Sequence, residues 1–252
     1  MKMMWQKSLC ALALCAAAAA AQAGEVVVAV AANFAGPLAK IGEGFTAATG
    51  HVLKVSSGAT GKFYTQITAG GAPFEVLIAA DDETPKKLVA EGQAVSGTNF
   101  TYAIGQLVLW SKTPGFVDDQ GAVLAAGKFT HLAIANPKVA PYGAAGLEVI
   151  KARGLTDAIT PKIVTAESIA QAYQFVATGN AELGFVALSQ VAVPGKAVEG
   201  SYWRVPQNLY GEIRQDAVLL KAGEKNAAAK ALLDYLKTAP AKEVIAAYGY
   251  RH

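Results

Sequence analysis

The chain has 252 residues but only two cysteines, Cys10 and Cys15, and only three histidines, His51, His131 and His252. Both cysteines fall in an N-terminal segment with the marks of an export signal. Lys2 and Lys7 precede the apolar run Ser8 to Ala20, and the small-residue sequence Ala21-Gln22-Ala23 follows. That run is too short to span a bilayer comfortably and ends in an A-x-A pattern, so residues 1–23 read as a secretory signal peptide cleaved after Ala23. Cleavage leaves no cysteine in the mature chain, which excludes a disulfide, a thiolate nucleophile and a cysteine metal site. A lipid anchor on Cys15 is disfavoured by Leu14, larger than the small residue such anchors follow, and by the signal-like alanines beyond it.

Charge of one sign is also scarce. The chain carries 22 Lys and Arg against 19 Asp and Glu, and two of the lysines leave with the signal. There is no basic run with interleaved aromatics, no second long apolar segment, no repeat period and no low-complexity linker, so no nucleic-acid partner is expected. Catalytic motifs are equally thin. No two histidines sit at metal-ligand spacing, and neither a G-x-S-x-G elbow nor a P-loop occurs. His51 follows a helix-ending glycine, His131 starts a strand and His252 is terminal, so each reads as structural or solvated and the chain is not expected to be an enzyme. A transcription-factor effector domain is argued against by the signal and by the lack of a helix-turn-helix segment.

What is present is a regular alternation of short β-branched runs with helical patterns, the signature of an α/β protein with mostly parallel sheets. Val26 to Val30 predicts a first strand, followed by a helix with Leu38, Ile41 and Phe45 on one face, Pro37 near its start and Gly50 past its end. Val52 to Ser56 predicts the second strand, and Thr60 opens a helix carrying Phe63 and Ile67. Phe74 to Ala80 is a third strand, with a short helix from Thr84-Pro85. Asp81 and Asp82 between them lack a third acidic or histidine partner at a suggestive spacing, and read as a solvated turn with helix-start charge.

Two long apolar strands, Tyr102 to Ser111 and Glu212 to Leu220, are expected to be the crossings between two lobes: residues 24–103 plus 208–252, and residues 104–207. Within the second lobe His131 to Ala135 predicts a strand, then Ala140-Pro141-Tyr142-Gly143 a helix with Leu147 and Ile150 on one face. Lys162 to Thr165 is a further strand, Ser168-Ile169 opens a helix with Ala172, Tyr173 and Val176, and Glu182 to Leu188 and Tyr202 to Val205 are the last two strands. Two C-terminal helices, around Leu232, Leu233 and Leu236 and around Val244, Ile245 and Tyr248, close off the first lobe.

Four of these junctions are polar or glycine-containing helix starts: Ala31-Ala32-Asn33-Phe34, Ser56 to Lys62, Ala140 to Gly143, and Ala166 to Ile169. A helix start leaves backbone N–H groups without intrahelical partners and carries the positive end of the macrodipole, so it suits an anion. Each alone also reads as an ordinary cap.

The residues at these places resemble the periplasmic molybdate-binding proteins of ABC importers across essentially the whole mature chain. The likeness is carried by Val28-Ala29-Val30-Ala31-Ala32-Asn33-Phe34, by Gly58 to Ile67, by Gly71 to Asp81, by Ala135-Asn136-Pro137-Lys138-Val139-Ala140-Pro141-Tyr142-Gly143, and by the tail Tyr248-Gly249-Tyr250. The resemblance implies a two-lobed type II periplasmic binding protein, each lobe a mostly parallel sheet flanked by helices, with the ligand cleft between the lobes. It implies capture of molybdate, with tungstate as a second ligand, by a periplasmic monomer that delivers the ion to a membrane permease. No cofactor is implied, since molybdenum enters only as the transported oxyanion. The binding residues carried over are Asn33 with Ala32 beside it, Thr60 as a hydroxyl donor, and Tyr142 and Ile169 as backbone N–H donors. Many members have Ser where this chain has Asn33 and Thr60. Some carry a Tyr where this chain has Ala187, which becomes a further candidate without that side chain's hydrogen bond.

A site built only from donors suits a fully deprotonated oxyanion, whereas a protonated phosphate would set an O–H against N–H groups and lose a hydrogen bond. Sulfate differs in size, so a cleft closing on molybdate would hold it through stretched bonds. A receptor for sulfate or phosphate remains the alternative. Lys62 at the second helix start is the one cation near a ligand loop, and is assigned an exposed or supporting role rather than direct contact.

Overall fold

The computed structural model describes residues 23–251; the signal-peptide assignment, both cysteines and His252 lie outside the described residues. The first half of the chain alternates as β1 (Glu25–Ala31), α1 (Ala35–Thr49), β2 (Val52–Gly58), α2 (Thr60–Thr68), β3 (Val76–Ile78), α3 (Glu83–Ala90) and β4 (Phe100–Gly105). The second lobe runs through β5 (Leu107–Ser111), α4 (Ala122–Ala126), β6 (Leu132–Ala135), α5 (Pro141–Ala152), α6 (Thr156–Ile159), β7 (Ile163–Ala166), α7 (Ile169–Ala177), β8 (Leu183–Ala187), α8 (Leu188–Val191) and β9 (Ser201–Arg204). The chain then returns as β10 (Ile213–Leu219), α9 (Ala227–Leu236) and α10 (Ala239–Ala247).

Two five-stranded sheets result, in the orders β2-β1-β3-β10-β4 and β7-β6-β8-β5-β9. They share one plan. In each, a central strand pairs in parallel with two neighbours (β1 with β2 and β3; β6 with β7 and β8), and a strand from a longer connection joins antiparallel on both sides (β10 with β3 and β4; β5 with β8 and β9). The sheets are therefore mixed, with parallel pairing confined to the half formed by consecutive strand-helix-strand units. The apolar run expected as one strand from Tyr102 to Ser111 is two strands, because Gln106 lies between β4 in the first sheet and β5 in the second.

Alternation along β1 explains why helices cover both faces of the first sheet. Val26, Val28 and Val30 point to one side, where Leu38, Ile41 and Phe45 of α1 pack with Leu232, Leu233 and Ile245 from the last two helices. Ala29 and Leu77 point to the other, against Phe63 and Leu88. Each such large side chain taken fully out of water contributes about 1.5–3 kcal/mol. The core of the second lobe includes Ala31, Ala32, Ala59 and Ala80, which sit at strand and helix ends of the first, so the two lobes pack continuously where those ends meet.

Candidate functional site

The carboxyl ends of β1 and β2 in one lobe and of β6 and β7 in the other run into helix starts that face a common space. A short 3-10 turn, Ala32–Phe34, links β1 to α1, so Asn33 sits at the entry of that helix. Thr60 is the first residue of α2, Ile169 the first of α7, and Tyr142 the second of α5 behind Pro141. First-turn N–H groups have no partner inside their own helix, and Pro141 at the first position of α5 has none to satisfy. Gly143 lets α5 start close against the sheet: a Cβ there would lie 2.0 Å from the Ala135 carbonyl oxygen.

These starts converge on one small cavity of about 10 Å3, lined by Asn33, Thr60, Tyr142 and Ile169 together with Ala32, Ala59 and other small or apolar residues. That is far below the ~300–1,000 Å3 typical of pockets for drug-sized molecules, and it leaves room for nothing larger than a small ion. No charged side chain lines it. The positive character of the space comes from the N-terminal ends of α2, α5 and α7.

Thr60, 1% exposed, accepts the Ala80 N–H on its hydroxyl oxygen at 2.9 Å, which keeps its own proton for a ligand. Asn33, 2% exposed, donates Nδ2 to Gln215 Oε1 at 2.8 Å and to Tyr250 Oη at 2.9 Å, while its Oδ1 has no partner. Its carbonyl oxygen accepts from Ser189 Oγ of the second lobe at 2.8 Å. The Tyr142 ring is buried and its hydroxyl accepts from Gln215 Nε2 at 3.1 Å, and the residue lines the cavity at the start of α5. Ser168 caps α7 by accepting the Gln171 N–H at 3.3 Å.

Ala187 does not line the cavity. It is fully buried at the end of β8, and its N–H donates to Gln190 Oε1 at 2.9 Å, while Gln190 Nε2 donates to the Ile169 carbonyl at 3.1 Å. Lys62 does not line it either: Nζ pairs with Glu167 Oε2 at 2.6 Å, both side chains largely exposed, and this ion pair holds the Glu167 carboxyl below its ordinary range. One residue before it, the Gly61 N–H donates to Val139 O of the second lobe at 3.0 Å.

The adjacent carboxylates, Asp81 and Asp82, do not line the cavity. Asp81 Oδ1 accepts the Thr84 N–H at the start of α3, and Asp82 pairs with Lys86. Among the described residues no group of three His, Cys, Asp or Glu is placed to hold a metal ion. His51 accepts the Gly24 N–H on Nδ1 at 2.9 Å, and the backbone N–H of His131 donates to Glu182, so both sit in structural contacts.

Sequence reasoning missed the layer beneath Asn33, formed by Gln215, Tyr102, Tyr250 and Ser189. Burial pushes the Tyr102, Tyr142 and Tyr250 hydroxyls well above their ordinary pKa, so all three stay neutral. One signal was available: Gln215-Asp216 is a polar pair inside an otherwise apolar strand.

With this geometry in hand, residues 26–251 match the family of bacterial extracellular solute-binding proteins. The chain is 62% identical over 233 residues to the molybdate-binding protein ModA of Azotobacter vinelandii, covering 92% of each. It is 58% identical over 230 residues to the protein of that name from Rhodobacter capsulatus, covering 91% of this chain and 89% of that one. A solved structure of the Azotobacter vinelandii periplasmic molybdate-binding protein superposes with a TM-score of 0.87 at 44% identity, over 90% of this chain and 99% of that one. The chain belongs to the bacterial extracellular solute-binding proteins, alongside these molybdate-binding members.

Proposed function

We propose that this protein is the periplasmic receptor of an ABC importer, which captures molybdate, and tungstate with it, and hands the ion to the membrane permease. The observation that carries the reading is the convergence of helix starts from both lobes on one small cavity free of charged side chains. Backbone N–H groups at the starts of α5 and α7, presented by Tyr142 and Ile169, the Thr60 hydroxyl, and Asn33 with the adjacent Ala32 supply the donors. A tetrahedral dianion stripped of water is held by these dipoles without a counter-charge.

Each lobe contributes part of the donor set, so the ligand binds best when the lobes meet, and occupancy favours the closed arrangement. That closed form is what the permease receives. The protein acts as a monomer and performs no chemistry on its cargo; its relatives are named as binding proteins. Titration of the mature protein with molybdate, tungstate, sulfate and phosphate tests the assignment.

A further inference from the structure

Asn33 rests on a buried, uncharged hydrogen-bond network whose polarity runs the wrong way for an anion site. Both of its amide protons are turned inward, onto Gln215 Oε1 at 2.8 Å and Tyr250 Oη at 2.9 Å, which leaves the acceptor Oδ1 on the opposite side of the carboxamide, buried and without a partner. An oxyanion meeting that oxygen is repelled rather than held. A second mismatch lies on the far side of Gln215. Tyr102 Oη has a single proton but two acceptors, Ala79 O at 2.8 Å and Gln215 Oε1 at 2.9 Å, so one of these close oxygen pairs contains no proton.

A half-turn of both carboxamides removes both mismatches at the cost of the hydrogen bond that Tyr250 Oη donates to the Asn33 carbonyl oxygen, and it leaves the heavy-atom positions in place, because amide oxygen and nitrogen simply trade places. Gln215 Nε2 then donates to Asn33 Oδ1 and to Tyr102 Oη, and Tyr102 gives its proton to Ala79 O. Tyr142 Oη donates to Gln215 Oε1, Tyr250 Oη turns its proton from the Asn33 carbonyl oxygen to Asn33 Oδ1, and Ser189 Oγ alone keeps that carbonyl at 2.8 Å. The two N–H groups of Asn33, a residue that lines the cavity, now stand where the unpartnered Oδ1 stood. Leaving them unpaired is costly, so this arrangement prevails only when the cavity holds a ligand rich in acceptors.

We propose that Gln215 is a positioning residue of the anion site: it turns over together with Asn33 when a tetrahedral oxyanion binds, so that Asn33 Nδ2 meets the anion and Gln215 Nε2 holds Asn33 Oδ1. The proposal rests on the oxyanion-binding reading above. Gln215 touches no ligand itself. It is fully buried on β10, where the strand register shifts between Gln215 and Asp216, and it joins Asn33 and Tyr102 of the first lobe to Tyr142 of the second.

Neutron diffraction on deuterated wild-type crystals grown without and with molybdate distinguishes a nitrogen carrying deuterons from an oxygen. The expected result is Asn33 deuterons on Gln215 and Tyr250 without molybdate, and on the anion with it, where the Gln215 deuterons lie on Asn33 Oδ1 and Tyr102. Asn33 Nδ2 still bonded to Gln215 Oε1 in the occupied crystal overturns the proposal, as does one orientation shared by both crystals. Calorimetry on the same preparation separates the two readings: absence of molybdate binding sinks the oxyanion assignment and this proposal with it, whereas binding with unturned carboxamides sinks only the role of Gln215.

Discussion

The hydroxyl oxygen of Thr60 accepts the backbone N–H of Ala80 at 2.9 Å, with both residues buried at the ends of elements that border the cavity. This single bond fixes the direction of the Thr60 proton and ties α2 to the segment after β3. Thr60→Val keeps the shape but removes both functions. Leaving the Ala80 N–H unpaired is expected to cost about 1–3 kcal/mol of stability, and losing the donor a similar amount of molybdate affinity. Thr60→Ser keeps the hydroxyl and should retain both. Thermal unfolding and calorimetric titration read the two effects separately, and full affinity in Thr60→Val would remove this hydroxyl from the site.

Gly61 is a close backbone contact between the lobes beside the cavity, its N–H donating to Val139 O at 3.0 Å. A Cβ added there would stand 2.9 Å from Val139 Cα, against backbone that cannot rotate away. Gly61→Ala should therefore hold the lobes apart and weaken molybdate binding by about 1–3 kcal/mol, the usual cost of overpacking. Solution scattering should show smaller ligand-induced compaction than in the wild type. Unchanged affinity together with unchanged compaction would mean that this contact plays no part in closure.

Lys62 and Glu167 form an exposed pair across the same boundary. Such exposed pairs contribute little, so Lys62→Ala is expected to change molybdate affinity by no more than about fivefold, with the difference shrinking in high salt. A loss of about a hundredfold that survives high salt would instead make Lys62 a direct ligand.

Asp81 offers a stability test that leaves the cavity lining alone. Burial is the main cause that raises its carboxyl above 3.8, with Asp82 and Glu83 adding to it, while hydrogen bonds from Thr84 act the other way. Between 3.8 and its higher folded value the native chain holds a proton that the unfolded chain has released, so stability falls as pH rises through that interval. Asp81→Asn keeps an acceptor for the Thr84 N–H and removes this loss. Its melting temperature should move above that of the wild type as pH is raised from about 4 to 7, whereas parallel profiles would contradict the assignment.

Much of the site was legible because each arm is local. Asn33, Thr60, Tyr142 and Ile169 follow the end of a strand, at a turn into a helix, and strand, turn and helix each leave a short-range pattern. The network beneath them leaves none. Gln215 and Tyr250 reach Asn33 across 182 and 217 residues, and a lone polar residue in a strand does not say what it meets. The division at Gln106 was hidden for a related reason: the apolar pattern continues from β4 into β5 although the two belong to different sheets. The antiparallel half of each sheet was equally silent, since strand direction depends on where a long connection returns and alternation reads the same either way. The short helices α4, α6 and α8 span only four or five residues, too few to show a helical period.

The central claim is a cavity that selects a large, fully deprotonated tetrahedral oxyanion by donors alone. Isothermal titration of the mature protein with molybdate, tungstate, sulfate and phosphate tests it most directly. The account predicts that molybdate binds more tightly than sulfate or phosphate by at least about tenfold, the ~1.4 kcal/mol that one lost or stretched hydrogen bond supplies, with tungstate alongside molybdate. Sulfate binding as tight as molybdate, or tighter, would contradict it.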